Sequence, residues 1–142
     1  MATNTLRPIN GHPEILGCDL FFSELNKLFR KDQKSEKQYL KWIDRQFVFL
    51  TTMGLQPLLQ NKTVEKVSSI KEDLDLYSLR RPESTGNPRL LFSLIEDEDG
   101  DVYIFLLAFK ELHNDYHRYI PIAVERMKKL LPLITGEEND EN

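Results

Sequence analysis

The sequence predicts an α+β fold in which three successive β-strands form the centre and helices pack against them. Residues 74–109 contain three short apolar runs, 74–81, 89–96 and 102–109, separated by turn-forming residues. On either side of this stretch, apolar residues recur at the spacing of amphipathic helices. The length of 142 residues suits one domain, which we expect to cover residues 1–135.

The N-terminal half is predicted to be an arm followed by two helices. Residues 1–17 hold two prolines and two glycines, which predicts an irregular N-terminal arm in which Ile15 and Leu16 could form a short strand. A first helix begins at Asp19 and ends near Lys31, and a second runs from Ser35 to a stop at Gly54. Trp42 could face the core or a partner, and we expect it in the core. The charged residues of the second helix are expected only to contact solvent. Residues 55–73 are predicted to be a connection with room for one helical turn.

The second and third strands are apolar at nearly every position, which predicts central strands covered on both faces. Asp99 and Gly100 supply a hairpin turn between them, and the acids around it fit a solvated turn better than a calcium loop. Pro121 fits a first helical turn, so the last helix should begin near Arg118 or later. That prediction leaves Tyr116 and His117 on a loop, where they could meet a ligand.

The charge is unevenly distributed along the chain. The net charge is −4, and residues 136–142 hold four acids and no base, which predicts a disordered acidic tail after a formally neutral body. A neutral body with clustered bases can still bind RNA. The longest apolar run is seven residues, and no signal peptide is apparent, so we expect a cytoplasmic protein that does not enter a membrane. Cys18 is the single cysteine and is expected to be an inert thiol.

The candidate chemistry lies in a basic and aromatic cluster. The sequence has no marked serine, histidine and acid triad, no glycine-rich phosphate loop and no metal-ligand motif, so we expect no metal and no other cofactor. Guanidinium groups bind phosphates in a fork, and tyrosine can stack on an unpaired base, which together suit RNA. The cluster consists of Arg80, Arg81, Arg89, Lys110, His113, Tyr116, His117 and Arg118.

The order of several segments resembles the RelE/HigB superfamily, toxins of bacterial type II toxin-antitoxin systems. The resemblance covers about half of the chain, residues 74–131, including an acidic hairpin turn. The segments that carry it are Leu76-Tyr77-Ser78-Leu79-Arg80, Asn87-Pro88-Arg89-Leu90-Leu91-Phe92, Leu106-Leu107-Ala108-Phe109-Lys110, Asp115-Tyr116 and Ala123-Val124-Glu125-Arg126.

The resemblance implies a RelE-like fold, in which a two-helix layer packs on a small antiparallel sheet and a C-terminal helix follows. It implies a metal-independent endoribonuclease that cleaves mRNA on the ribosome and inhibits translation, with an antitoxin protein as partner. The implied catalytic residues are Arg80, Arg89, Lys110 and Tyr116. Arg81, His113, His117 and Arg118 are then expected to bind RNA.

Two alternatives stay open at this point. One is a non-catalytic RelE/ParE-like protein that binds a protein target such as DNA gyrase. In the other, the acidic tail folds over the basic groove as a nucleic-acid mimic.

The sequence also departs from the family pattern, because Ser78 and Glu111 occupy positions where relatives often have basic residues. Because side chains alternate along a strand, the nuclease hypothesis requires that Arg80, and not Arg81, accompanies Arg89.

Overall fold

The computed structural model describes residues 5–81, 87–111 and 116–135 of an α+β domain. The α+β class is therefore as predicted. The order of elements is two strands, three helices, four strands and one helix. Their bounds are β1 Leu6–Ile9, β2 His12–Cys18, α1 Asp19–Lys27, α2 Gln33–Met53, α3 Gln56–Gln60, β3 Val64–Lys71, β4 Leu74–Arg80, β5 Pro88–Asp97, β6 Gly100–Lys110 and α4 Tyr116–Thr135.

The six strands of the described residues form one mixed sheet in the order β1-β2-β6-β5-β4-β3. The pair β2 and β6 is parallel, and the other neighbours are antiparallel. The sheet thus differs from the small antiparallel sheet that the resemblance implies. The three predicted strands are β4, β5 and β6, and the latter two are buried along most of their length, as expected for central strands.

The prediction of an irregular arm for residues 1–17 is wrong, because β1 and β2 occupy most of it; the short strand considered at Ile15 and Leu16 is part of β2. Gly11, at φ +84°, supplies the turn between them. β1 is an edge strand, and the pairing shifts next to Pro8. Edge strands and bulges are the places where a sheet tolerates proline.

Residues 55–73 form more than the predicted connection. They contain the expected helical turn, α3, and also β3, which pairs with β4 at the other edge of the sheet. The burial along β3 does not alternate regularly, and its pairing shifts twice. These bulges remove the two-residue period that would have revealed the strand in the sequence.

The helix boundaries agree with the sequence best at α2. Asp32 caps this helix by accepting a hydrogen bond from the backbone N–H of Ser35 at 3.0 Å, and Gly54 follows its end at φ +84°. α1 ends at Lys27, a little earlier than predicted. None of the helices in the described ranges is long and apolar enough to cross a membrane.

The prediction that α4 starts near Arg118 is wrong, since the helix begins at Tyr116 and contains Pro121. Tyr116 and His117 therefore lie in its first turn and not on a loop. Proline at the sixth position removes a single backbone hydrogen bond near the helix start. Tyr119 stacks on Phe109 with ring centroids 4.0 Å apart, a contact that stabilises this turn.

Helices cover both faces of the sheet. Phe105 of β6 contacts Phe21 of α1 and Phe47 of α2, with ring centroids 5.6 and 5.2 Å apart. Phe109 of the same strand faces α4 instead. A β-bulge at Leu106 makes this possible, because Phe92 pairs with Phe105 and the preceding Leu91 pairs with Leu107.

One ion pair joins α1 and α4 to the part of β6 that has no β2 neighbour. The Arg126 guanidinium contacts both carboxylate oxygens of Glu24, at 2.7 and 2.9 Å. Glu24 also accepts a hydrogen bond from the backbone N–H of Ala108, and Arg126 donates to the carbonyl of Leu106. The pair thereby satisfies backbone groups of β6 beyond the end of β2.

Glu24→Gln should lower the free energy of unfolding by about 1–2 kcal/mol, because charge-assisted hydrogen bonds become neutral ones. Urea unfolding followed by circular dichroism would measure the change. Glu125→Gln, at an exposed position of α4, is the matched control and should change stability by less than about 0.5 kcal/mol. Equal effects of the two substitutions would contradict this role for Glu24.

Candidate functional site at the basic end of the sheet

Three strands bring their basic residues to one end of the sheet, which we call the basic end. β4 ends there at Arg80, and β6 ends there at Lys110. β5 begins there, and Arg89 is its second residue. Arg80 pairs directly with Arg89, and Pro88 pairs with Lys110. The basic end therefore gathers Arg80, Arg81, Arg89 and Lys110.

The register meets the condition set by the sequence. Directly opposed residues of antiparallel strands project to the same face, so Arg80 accompanies Arg89 and Arg81 projects to the other face. The Nε of Arg80 donates to the carbonyl of Lys62 at 3.2 Å. This bond anchors the partly exposed Arg80 side chain beside the start of β3.

Arg89 is largely buried and forms an ion pair. It is 9% exposed, and its Nη2 donates to a carboxylate oxygen of Glu111. The backbone N–H of Glu111 donates in turn to the carbonyl of Asn87 at 3.1 Å, which holds the carboxylate next to the start of β5. Any anionic ligand of Arg89 would have to compete with this carboxylate.

Lys110 lies on the opposite face from Arg89. Its Nζ is 4.6 Å from the ring centroid of Phe29. The pKa of the nearby Asp32 carboxyl is lowered, chiefly by the hydrogen bond from the Ser35 backbone N–H, then by the Ser35 hydroxyl, with a smaller contribution from the charge of Lys110. Lys110 is thus directed toward the junction of α1 and α2.

An aromatic cluster lies beside these cations. Trp42 is half-buried and stacks on Tyr39, and the Arg81 guanidinium lies 5.8 Å from the Trp42 ring centroid. Trp42 therefore packs against the core but is only half-buried, so the prediction that it lies in the core is confirmed only in part. Burial raises the pKa of Tyr39, while the charges of Arg81 and Arg89 oppose that shift.

The remaining predicted residues lie at the start of α4 or outside the described residues. His117 and Arg118 are exposed in the first turn of α4, and the Arg118 guanidinium is 5.6 Å from the Tyr119 ring centroid. The backbone of Tyr116 begins the helix, but its side chain lies outside the described part of the chain, as does His113. The acidic tail, residues 136–142, lies outside it too.

The arrangement can bind an anion but has features that the sequence did not indicate. Arg80 and Arg89 share a face, whereas Lys110 and Arg81 project from the other one. Glu111 had stood out only as an acid where relatives often have a base, and its pairing with Arg89 was not foreseen. Across the described ranges, no three His, Cys, Asp or Glu side chains are grouped as metal ligands would be.

Cys18 lies away from this site and is buried, as its expected inertness requires. Its Sγ is 3.5 Å from the carbonyl oxygen of Leu106, and burial raises the pKa of the thiol. A raised pKa lowers the thiolate fraction at a given pH, and the thiolate is the reactive form.

Alkylation of Cys18 should accordingly be at least about 100-fold slower in the native protein than in guanidinium chloride. In the native protein its rate should increase only at pH values above the ordinary thiol pKa. Mass spectrometry of quenched samples would follow the reaction. A native rate equal to the unfolded one at neutral pH would show that the thiol is accessible.

Comparison with known proteins does not assign a family. No protein-family model, no curated protein and no solved structure matches this chain.

Proposed function

We propose that this chain is a metal-independent endoribonuclease of the RelE/HigB type, a toxin that cleaves mRNA on the ribosome and is inhibited by an antitoxin protein. The observation that carries the proposal is the direct pairing of Arg80 with Arg89 at the basic end. The α1 and α2 pair ahead of the three-strand run adds support, since the resemblance implies such a helix layer.

The reaction would use the RNA itself as nucleophile. The 2′-hydroxyl gives up its proton to water as its oxygen attacks the adjacent phosphorus, the bond from phosphorus to the 5′-oxygen breaks, and the leaving oxygen takes up a proton from water. Arg89 would stabilise the developing charge on the phosphate oxygens, and Arg80 would orient the nucleophile. The resemblance implies that Lys110 neutralises or protonates the leaving group and that Tyr116 stacks on the nucleobase or assists proton transfer. Because Lys110 projects from the face opposite Arg89, its role requires the RNA to pass around the basic end.

The Arg89–Glu111 ion pair gives this mechanism an added requirement. The guanidinium of Arg89 already binds one anionic oxygen. A substrate phosphate offers the same kind of acceptor, so it would displace or share the place of the carboxylate. Binding of RNA would therefore move Glu111 away from Arg89.

Cleavage can be tested by adding purified protein to a translation reaction and mapping mRNA ends by primer extension. New ends that depend on the protein and on ribosomes are expected. A message with 2′-deoxy residues at the mapped positions is the control, because it lacks the nucleophile and should stay intact there. An intact wild-type message at all protein concentrations would overturn the proposal.

The same ion pair favours a second candidate, a non-catalytic member that inhibits a protein target such as DNA gyrase. Arg89 is buried against Glu111, and Lys110 projects from the other face, an arrangement that suits a structural role for both. In that case mRNA would stay intact while DNA supercoiling by gyrase would fall. The two assays separate the candidates directly.

A further inference from the structure

The outer surface of α2 concentrates positive charge. All four bases of this helix, Lys34, Lys37, Lys41 and Arg45, are exposed. At 3.6 residues per turn they fall within a sector of about 80° and span about 16 Å along the helix axis. The two acids of the helix, Glu36 and Asp44, lie outside that sector. We call this sector the α2 basic face.

The spacing on this face is unfavourable for an isolated helix. Lys37 and Lys41 are four residues apart, as are Lys41 and Arg45, and like charges at that spacing repel. A helix face that only contacts solvent more often alternates charges of opposite sign. Asp44, which borders the face, is paired with His12. No described carboxylate forms an ion pair with the four bases. An anionic ligand would relieve their repulsion.

Two aromatic side chains border the α2 basic face on one side. Trp42 and Phe49 are seven residues apart, so they lie on nearly the same side of the helix. Phe49 is 38% exposed, a high value for a phenyl ring. Trp42 is half-buried and contacts Arg81, which belongs to the basic end. The aromatic border thus connects the α2 basic face with the basic end.

From this arrangement we propose that the α2 basic face binds single-stranded RNA. Its lysine and arginine side chains would contact the phosphates, and Phe49 and Trp42 would stack against the nucleobases. Proteins that bind single strands combine a basic groove with aromatic stacking surfaces in this way. The inference rests on the proposed function in that the strand would continue past Arg81 to Arg80 and Arg89. It names a second contact region for the same substrate class, distinct from the residues of the reaction.

Binding can be measured apart from cleavage by fluorescence anisotropy with a labelled 2′-O-methyl oligouridylate, whose blocked 2′-oxygen cannot attack. Lys37→Gln/Lys41→Gln should weaken binding and lower the slope of log K against log salt by about 1.4, since each phosphate contact of a single strand contributes about 0.7. Lys128→Gln/Lys129→Gln is the matched control, because it also removes two exposed charges from one helix. Equal slopes for the two double variants would overturn the proposal.

Phe49→Ala tests the stacking contribution without changing charge. It should weaken oligouridylate binding by about fivefold or more, because loss of one base-aromatic stack costs at least that much. Polyglutamate is the competing ligand. If it binds the wild type as tightly as the oligonucleotide does, and Phe49→Ala has no effect, the face is a site for an acidic protein and the RNA proposal is wrong.

The outcomes separate this inference from the proposed function. Binding that depends on Lys37 and Lys41, together with intact mRNA in the translation reaction, would support the α2 basic face and overturn the nuclease. Cleavage by a Lys37→Gln/Lys41→Gln variant that binds the oligonucleotide as the wild type does would leave the nuclease standing and overturn the inference.

Discussion

Arg80→Ala should reduce mRNA cleavage by about 100-fold or more, whereas Arg81→Ala should retain most of the cleavage rate. Removal of one oriented catalytic group costs rates of this order. The contrast follows from the register, since Arg80 shares a face with Arg89 and Arg81 projects toward Trp42. Primer extension on a translated message, with rates measured at saturating protein, would give both values.

The Arg81 variant is the control for lost charge, because the two substitutions remove the same group from adjacent positions. Arg81→Ala should raise the protein concentration needed for half-maximal cleavage, as expected for an RNA contact, without lowering the maximal rate. If Arg81→Ala abolished cleavage and Arg80→Ala did not, the face that carries Arg89 would not be the catalytic one.

Local signals explain which parts of the fold could be predicted. α2 has a capping aspartate at Asp32, a periodic apolar stripe and a glycine at its end, and these act within a few residues of one another. The turn before Gly100, at φ +130°, is equally local. Buried strands β5 and β6 were visible because they are apolar at nearly every position.

The edges of the sheet could not be predicted, because long-range pairing creates them. β2 becomes a strand by lying parallel to β6, almost ninety residues away in sequence, as the pairing of Leu16 with Ile104 shows. β3 is polar and bulged, so its pairing with β4 leaves no simple period. In both segments the neighbouring strand determines the structure more than local propensity does.

The site, too, could be predicted only in part. The strand ends predicted that Arg80, Arg89 and Lys110 would lie at one end of the sheet, and the structure places them there. The bulge at Leu106 reverses the alternation along β6, so that Lys110 faces the same way as Phe105. Without that extra residue Lys110 would share the face of Arg89. Single-sequence patterns contain no signal for a bulge inside an apolar run.

The largest stability effect is expected from Arg89→Met, which should lower the free energy of unfolding by about 3–5 kcal/mol. The substitution leaves the Glu111 carboxylate without its cation in a place where its side chain is only 14% exposed. An unpaired buried charge has a cost of this size. Chemical unfolding in urea, followed by circular dichroism and by tryptophan fluorescence from Trp42, would measure it.

Arg89→Met/Glu111→Leu should recover most of this loss, because replacing both members of a buried ion pair by apolar residues removes the desolvation cost. Arg80→Met, at a more exposed position, is the control and should cost less than about 1 kcal/mol. A double variant as unstable as Arg89→Met would contradict the ion-pair explanation. If the double variant is stable yet leaves mRNA intact where the wild type cleaves it, the cation at position 89 is needed for the reaction and not for the fold.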